Sequence, residues 1–164
     1  PTSPCLAGLL DFIIAFPLLV IMMIYYGVPI SWSILLVPVF LLMAFAVALG
    51  SSLIFSALNV KYRDIRYVIP PLIQMWMFCS AFLAFSNIRE SFGQRLGGWV
   101  YLYGLNPMGT VVEGFRWCLL HPRMIPPVDF PWILLAVSLP VTLVILAVGL
   151  LYFRRVETQF ADIV

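Results

Sequence analysis

The sequence predicts an all-α, polytopic membrane protein with four transmembrane helices and a re-entrant helical hairpin before the last of them. Three observations carry that reading. Of 164 residues, 63% are hydrophobic and 10% charged, whereas a soluble domain is about 45–50% apolar and about 25% charged. Four apolar runs match the roughly 20 residues needed to cross a hydrocarbon core, and a further helical segment is too short to do so. A mean hydropathy of +1.08 excludes disorder. The net charge of +2 is too small and dispersed for a nucleic-acid partner, so membrane lipids are the expected surroundings.

The predicted spans are Leu6 to Tyr26, Ile34 to Leu58, Tyr67 to Phe85 and Pro131 to Phe153, within one transmembrane domain covering 1–164. Lipid offers no partner to backbone N–H and C=O groups, so runs without alternating polarity must be helices. Asp11 lies near one end of the first span, where a carboxylate is costly unless it snorkels or pairs; a helix-helix or dimer contact is the expected use, ahead of a substrate contact. Pro17, Pro38 and Pro140 fall within spans and predict kinks. Pro70 and Pro71 are expected in the first turn of the third, where a missing N–H costs nothing. Ala48, Ser52 and Ser56 recur every four residues on the second span, with Ala46 and Gly50 beside them, and form an expected helix-packing stripe. Gln74, Ser80 and Ser86 give the third a weakly polar track.

Cations near span ends set the topology. Lys61, Arg63 and Arg66 crowd the link between the second and third spans, and Arg154 and Arg155 follow the fourth. Both places, and the C-terminus, are expected in the cytoplasm. The uncharged link 27–33 and the long link 86–130 are expected outside.

Within that long link, Asn106-Pro107 reads as a helix start, Asn as N-cap and Pro at the first helical position. Met108, Val111, Val112, Phe115 and Leu119 then share one face, and Glu113 and Arg116 lie at ion-pair spacing. The 14 residues Pro107 to Leu120 reach about 21 Å, less than the bilayer core of roughly 30 Å. The segment from about 93 to 120 is therefore expected to be re-entrant or interfacial, with Asn106, Pro107, Glu113 and Arg116 setting an outer gate. Trp99, Tyr101 and Tyr103 precede it, amphipathic rings suited to that depth and able to stack on sugars.

Chemistry for an enzyme is scarce. No GxxxxGK[ST] occurs and Lys61 is the only lysine, so this chain cannot build a phosphate-cradling loop. Asp11 and Asp64 are isolated. His121 has no second ligand at metal-binding spacing, and Cys5, Cys79 and Cys118 signal neither a zinc site nor a disulfide framework. No catalytic residue, metal or cofactor is expected in the chain, and ATP with its Mg²⁺ would be bound by a partner.

Several stretches resemble one family. LNVKYRDIRYVIPPLIQMWMF (Leu58 to Phe78), YGLNPMGTVVEGFRWCLL (Tyr103 to Leu120), GLLDFIIAF (Gly8 to Phe16) and the terminal LYFRRVETQFADIV are similar in order and spacing to permease subunits of type-2 ABC exporters. These are the branch that exports polysaccharides such as O-antigen, capsule and teichoic acid. Ser80-Ala81-Phe82-Leu83 departs from the Pro-containing stretch that many relatives carry there.

The resemblance implies six spans, of which these would be the last four in an N-terminally truncated fragment, and places the family's re-entrant pair on Gly93 to Leu120. It implies a membrane channel subunit, not an enzyme, in the bacterial cytoplasmic membrane. Its expected partners are an ATP-binding subunit, a second copy of itself and a lipid-linked polysaccharide. Lys61, Tyr62, Arg63 and Asp64 would form the cytoplasmic loop near the ATPase. The rivals are a drug or lipid exporter of the same class, an intramembrane transferase acting on prenyl-linked sugars, and a secondary transporter.

Overall fold

The computed structural model describes residues 2–62, 64–82, 103–120 and 130–161. Five α-helices follow one another among them: α1 (Thr2–Tyr25), α2 (Val37–Lys61), α3 (Ile65–Phe82), α4 (Pro107–Leu120) and α5 (Trp132–Ala161). No strand occurs among the described residues. Three stretches, Cys5–Tyr25, Trp32–Asn59 and Trp132–Val156, are long and apolar enough to cross a membrane. The 18 residues of α3 reach about 27 Å and include Arg66 and Gln74. The rest of the span expected there, 83–85, lies outside the described residues, as do 93–102 of the expected hairpin.

Chain punctuation explains where the helices stop. Gly27, at φ 64°, closes α1. Its N–H bonds to the Ile24 carbonyl at 3.0 Å and that of Val28 to Met23 at 2.9 Å, the paired bonds of a Schellman cap, whose left-handed position favours glycine. A 3₁₀ turn over Trp32–Leu36 leads into α2.

Two expectations about prolines are corrected. Because residues 32–36 are 3₁₀, Pro38 falls in the first turn of α2 and breaks no helical bond. Because α3 begins at Ile65, Pro70 and Pro71 lie inside it, where they remove the helical donors for the Arg66 and Tyr67 carbonyls.

The packing is built on α2. Gly50 and Gly149 let α2 and α5 cross backbone to backbone: a Cβ on Gly149 would lie 2.5 Å from the Gly50 carbonyl oxygen, and one on Gly50 would lie 2.9 Å from the Ile145 carbonyl oxygen. In this half of the bundle the packing stripe is thus the glycine pair. Ala48, Ser52 and Ser56 instead line an open groove, because Ala48 and Ser52, two positions either side of Gly50, lie about 200° around the helix from it. The outer side of α1 carries exposed Leu10, Ile14, Leu18 and Ile21, a surface that hydrocarbon solvates well.

Candidate functional site

The short helix α4 has the bounds its composition predicted and lies in the half of the bundle where α2 and α5 begin and α3 ends. Its buried residues, Pro107, Gly109, Thr110, Val111, Glu113, Gly114 and Cys118, cover an arc of about 200°, while Met108, Val112, Phe115 and Leu119 are half-buried. This corrects the single apolar face expected from Met108, Val111, Val112, Phe115 and Leu119. The reason is that α2, α3, α5 and the 3₁₀ turn all pack against it.

Glycines set how closely its neighbours approach. A Cβ on Gly114 would lie 2.2 Å from the Phe40 ring, and Phe40 is 1% exposed, so α2 seats α4 through that missing methyl. A Cβ on Gly109 would lie 2.6 Å from the Tyr103 hydroxyl oxygen. Around the C-terminal half of α4 aromatic rings close in: Phe115 meets Phe12 at 5.7 Å and Phe40 at 6.4 Å between centroids. Trp117 meets Phe130 edge-on at 4.8 Å, a favoured geometry for the ring quadrupoles.

Polar contacts hold the other end. The Asn106 carboxamide donates to Ser80 Oγ at 2.9 Å and accepts from Trp76 Nε1 at 3.1 Å. The Tyr103 hydroxyl donates to the Ser80 carbonyl at 3.3 Å. Asn106 thus opens α4, but its side chain reaches across to α3 where an N-cap would turn back on its own helix. Burial pushes the Tyr103 phenol up from its ordinary 10.0, the nearby Glu113 carboxylate adds to this, and Arg116 opposes it. The phenol therefore stays protonated and available as a donor.

Glu113, 6% exposed, lies 3.8 Å from Arg116, a pair one turn apart within α4. Thr110 Oγ1 is buried with no hydrogen-bond partner among the described residues. Of the residues read as an outer gate, Asn106 and Pro107 are therefore at the α3 junction, with Glu113 and Arg116 one to two turns further along. Of the three rings expected to stack on sugars, Tyr103 is in the junction and Trp99 and Tyr101 lie outside the described residues.

At the far end of α2, Tyr62 is extended and exposed, and its N–H bonds to the Leu58 carbonyl at 2.8 Å. Asp64 is exposed beside it. Lys61 ends α2, and Arg63 lies outside the described residues, as does His121. Asp11 is exposed on α1.

Sequence reasoning missed Trp76, Gly114 and Gly149. Only the glycines left a signal, since each costs stability inside a helix unless something packs on it. Among the described residues no group of three His, Cys, Asp or Glu side chains gathers to hold a metal.

Between α2, α3 and α4 lies a groove of about 770 Å³. Ser80, Met108 and Val112 border it beside the Asn106 junction, and Asn59 and Arg66 border its other end.

Three curated proteins match 99% of this chain. The O-antigen export system permease protein RfbA of Myxococcus xanthus is 27% identical over 163 residues. Two proteins of the same name from Klebsiella pneumoniae are 25% and 26% identical over 166 and 165 residues. The chain is similar to O-antigen export permeases. That agrees with the resemblance carried by Leu58 to Phe78 and Tyr103 to Leu120, and together with the three long apolar helices it makes this a multi-pass membrane protein. The chain spans 59% of the length of each of these permeases. No family model matches the chain, and no solved structure matches it.

Proposed function

We propose that this chain is part of the membrane subunit of an ATP-driven exporter that carries a lipid-linked polysaccharide across the bacterial cytoplasmic membrane. The observation that carries the proposal is the likeness to O-antigen export permeases along 99% of the chain. The physical requirement is plain: a sugar polymer's hydroxyls would each cost several kcal/mol unpaired in hydrocarbon, so it needs a protein-lined path.

In this reading α1, α2, α3 with the residues after it, and α5 traverse the bilayer, the C-terminus is cytoplasmic, and the segment ending in α4 enters from the outer side and turns back. Two copies form the channel. The hydrolysis of ATP, with its Mg²⁺, belongs to a separate subunit, and this chain supplies no catalytic residue. Lys61, Tyr62, Arg63 and Asp64 receive the push of that subunit.

The outer gate is α4. Its N-terminal end is tied to α3 through Asn106 and Tyr103, so a shift of α3 moves α4, while Glu113 and Arg116 hold a charge pair within the moving piece. Trp99, Tyr101 and Tyr103 offer ring faces on which sugars stack.

The test replaces Asn106 with Leu and Pro107 with Ala and measures surface polysaccharide in cells. Export should fall while the amount of protein in the membrane holds; undiminished export removes the gate. For the loop, Lys61→Glu with Arg63→Glu should leave ATP hydrolysis running while polysaccharide export stops, and normal coupling would reduce the loop to a topological signal.

A further inference from the structure

The groove between α2, α3 and α4 is built for an amphiphile. Along α3 it extends from Arg66 to Ser80, 14 residues or about 21 Å, more than one leaflet of a hydrocarbon core roughly 30 Å thick. Its middle is apolar, with Val47 and Phe55 on one wall and Ile69, Ile73 and Met77 on the other. A volume of about 770 Å³ falls within the roughly 300–1,000 Å³ typical of small-ligand sites. The serines of α2 that face it sit on a helix, where a hydroxyl can be satisfied by the carbonyl one turn back, so the wall tolerates hydrocarbon. A polysaccharide would leave hydroxyls unpaired there.

Charge is confined to one end. Arg66 is exposed and makes no ion pair with a carboxylate among the described residues, whereas Ser80, Met108 and Val112 at the other end are neutral. In sequence, Lys61 and Arg63 add two more cations within six residues of Arg66, against Asp64 alone. Basic openings between membrane helices attract anionic head groups, each Lys or Arg contributing about 1 kcal/mol near the surface.

We propose that this groove binds one anionic phospholipid of the bilayer, its acyl chain laid between α2 and α3 and its phosphate at Arg66. The site is independent of the cargo and would hold whichever polymer the protein exports. An occupied groove also keeps α3, which touches α2 sparsely, at a fixed distance from it.

The test uses the protein purified from membranes and reconstituted in nanodiscs of equal phosphatidylglycerol and phosphatidylcholine, followed by native mass spectrometry of retained lipid. One phosphatidylglycerol should remain in preference to phosphatidylcholine. Arg66→Gln should lower its retention about fivefold. Ala48→Phe, which fills the groove and leaves Arg66 in place, should abolish it, and Arg154→Gln should change nothing. Millimolar inorganic phosphate should not displace the lipid. A benzoylphenylalanine in place of Met77, a large side chain already in the groove wall, should crosslink to lipid.

Equal retention by the wild type and both groove variants would overturn the proposal, as would equal retention of phosphatidylcholine. Displacement by phosphate would mark a bare anion site, and crosslinking of position 77 to protein would mark the groove as a seat for another helix; either result also overturns it.

Discussion

At position 106 one carboxamide joins two helices, accepting from Trp76 Nε1 and donating to Ser80 Oγ. Such bonds between membrane helices average about 0.6 kcal/mol, because the unfolded segments also find partners in the membrane. Asn106→Ala should therefore destabilise the fold only modestly, and Trp76→Phe less than that. A double-mutant cycle on the pair, read by unfolding in mixed micelles, should give a coupling of about 0.5–1 kcal/mol. Strictly additive losses would mean that the bond contributes nothing. The Asn-Pro start of α4 is readable from residue type alone. That its side chain serves α3 is not, because Trp76 and Asn106 are 30 positions apart and nothing in either local pattern names the other.

Helix α4 is held as an element by shape more than by polar bonds. A Cβ at Gly114 would intrude on the Phe40 ring, and that ring has no space to yield in the cluster it shares with Val37, Met43, Val111 and Cys118. Overpacking of this kind costs about 1–3 kcal/mol. Gly114→Ala should lower the unfolding midpoint accordingly, and adding Phe40→Leu should restore most of the loss by making room for the methyl. If the second substitution only deepens the loss, Gly114 has another role. The periodicity of α4 suggested one buried face. Burial centred on the side of Gly109, Thr110, Glu113 and Gly114 follows from neighbours contributed by four other elements, which no 14-residue window contains.

For the molecule as a whole, the alternation of α2 and α3 places the turn at Tyr62 and Asp64 at one end and α4 at the other. In a background freed of Cys5, Cys79 and Cys118, Asp64→Cys should react with an impermeant maleimide only from the cytoplasmic side. Val28→Cys, in the link after α1, should react only from the outer side. Labelling of both from one side would contradict the membrane arrangement proposed here, and with it the placement of the gate.

The amino-acid order by itself determined that lipid surrounds the chain, where its long apolar helices run, and that Pro107 to Leu120 is a helix too short to cross. These are properties of composition and of rise per residue, which need no partner to be defined. It also carried the resemblance to export permeases, read from 58–78 and 103–120. Only the tertiary structure decided that Gly50 and Gly149 make the helix crossing while Ala48, Ser52 and Ser56 face a groove. The same holds for the Asn106 carboxamide tying α4 to α3 and for Phe40 filling the space left by Gly114. Each of those outcomes depends on which distant residue arrives opposite, and a stripe of small side chains fits a neighbouring backbone or an open groove equally well until the helices are packed.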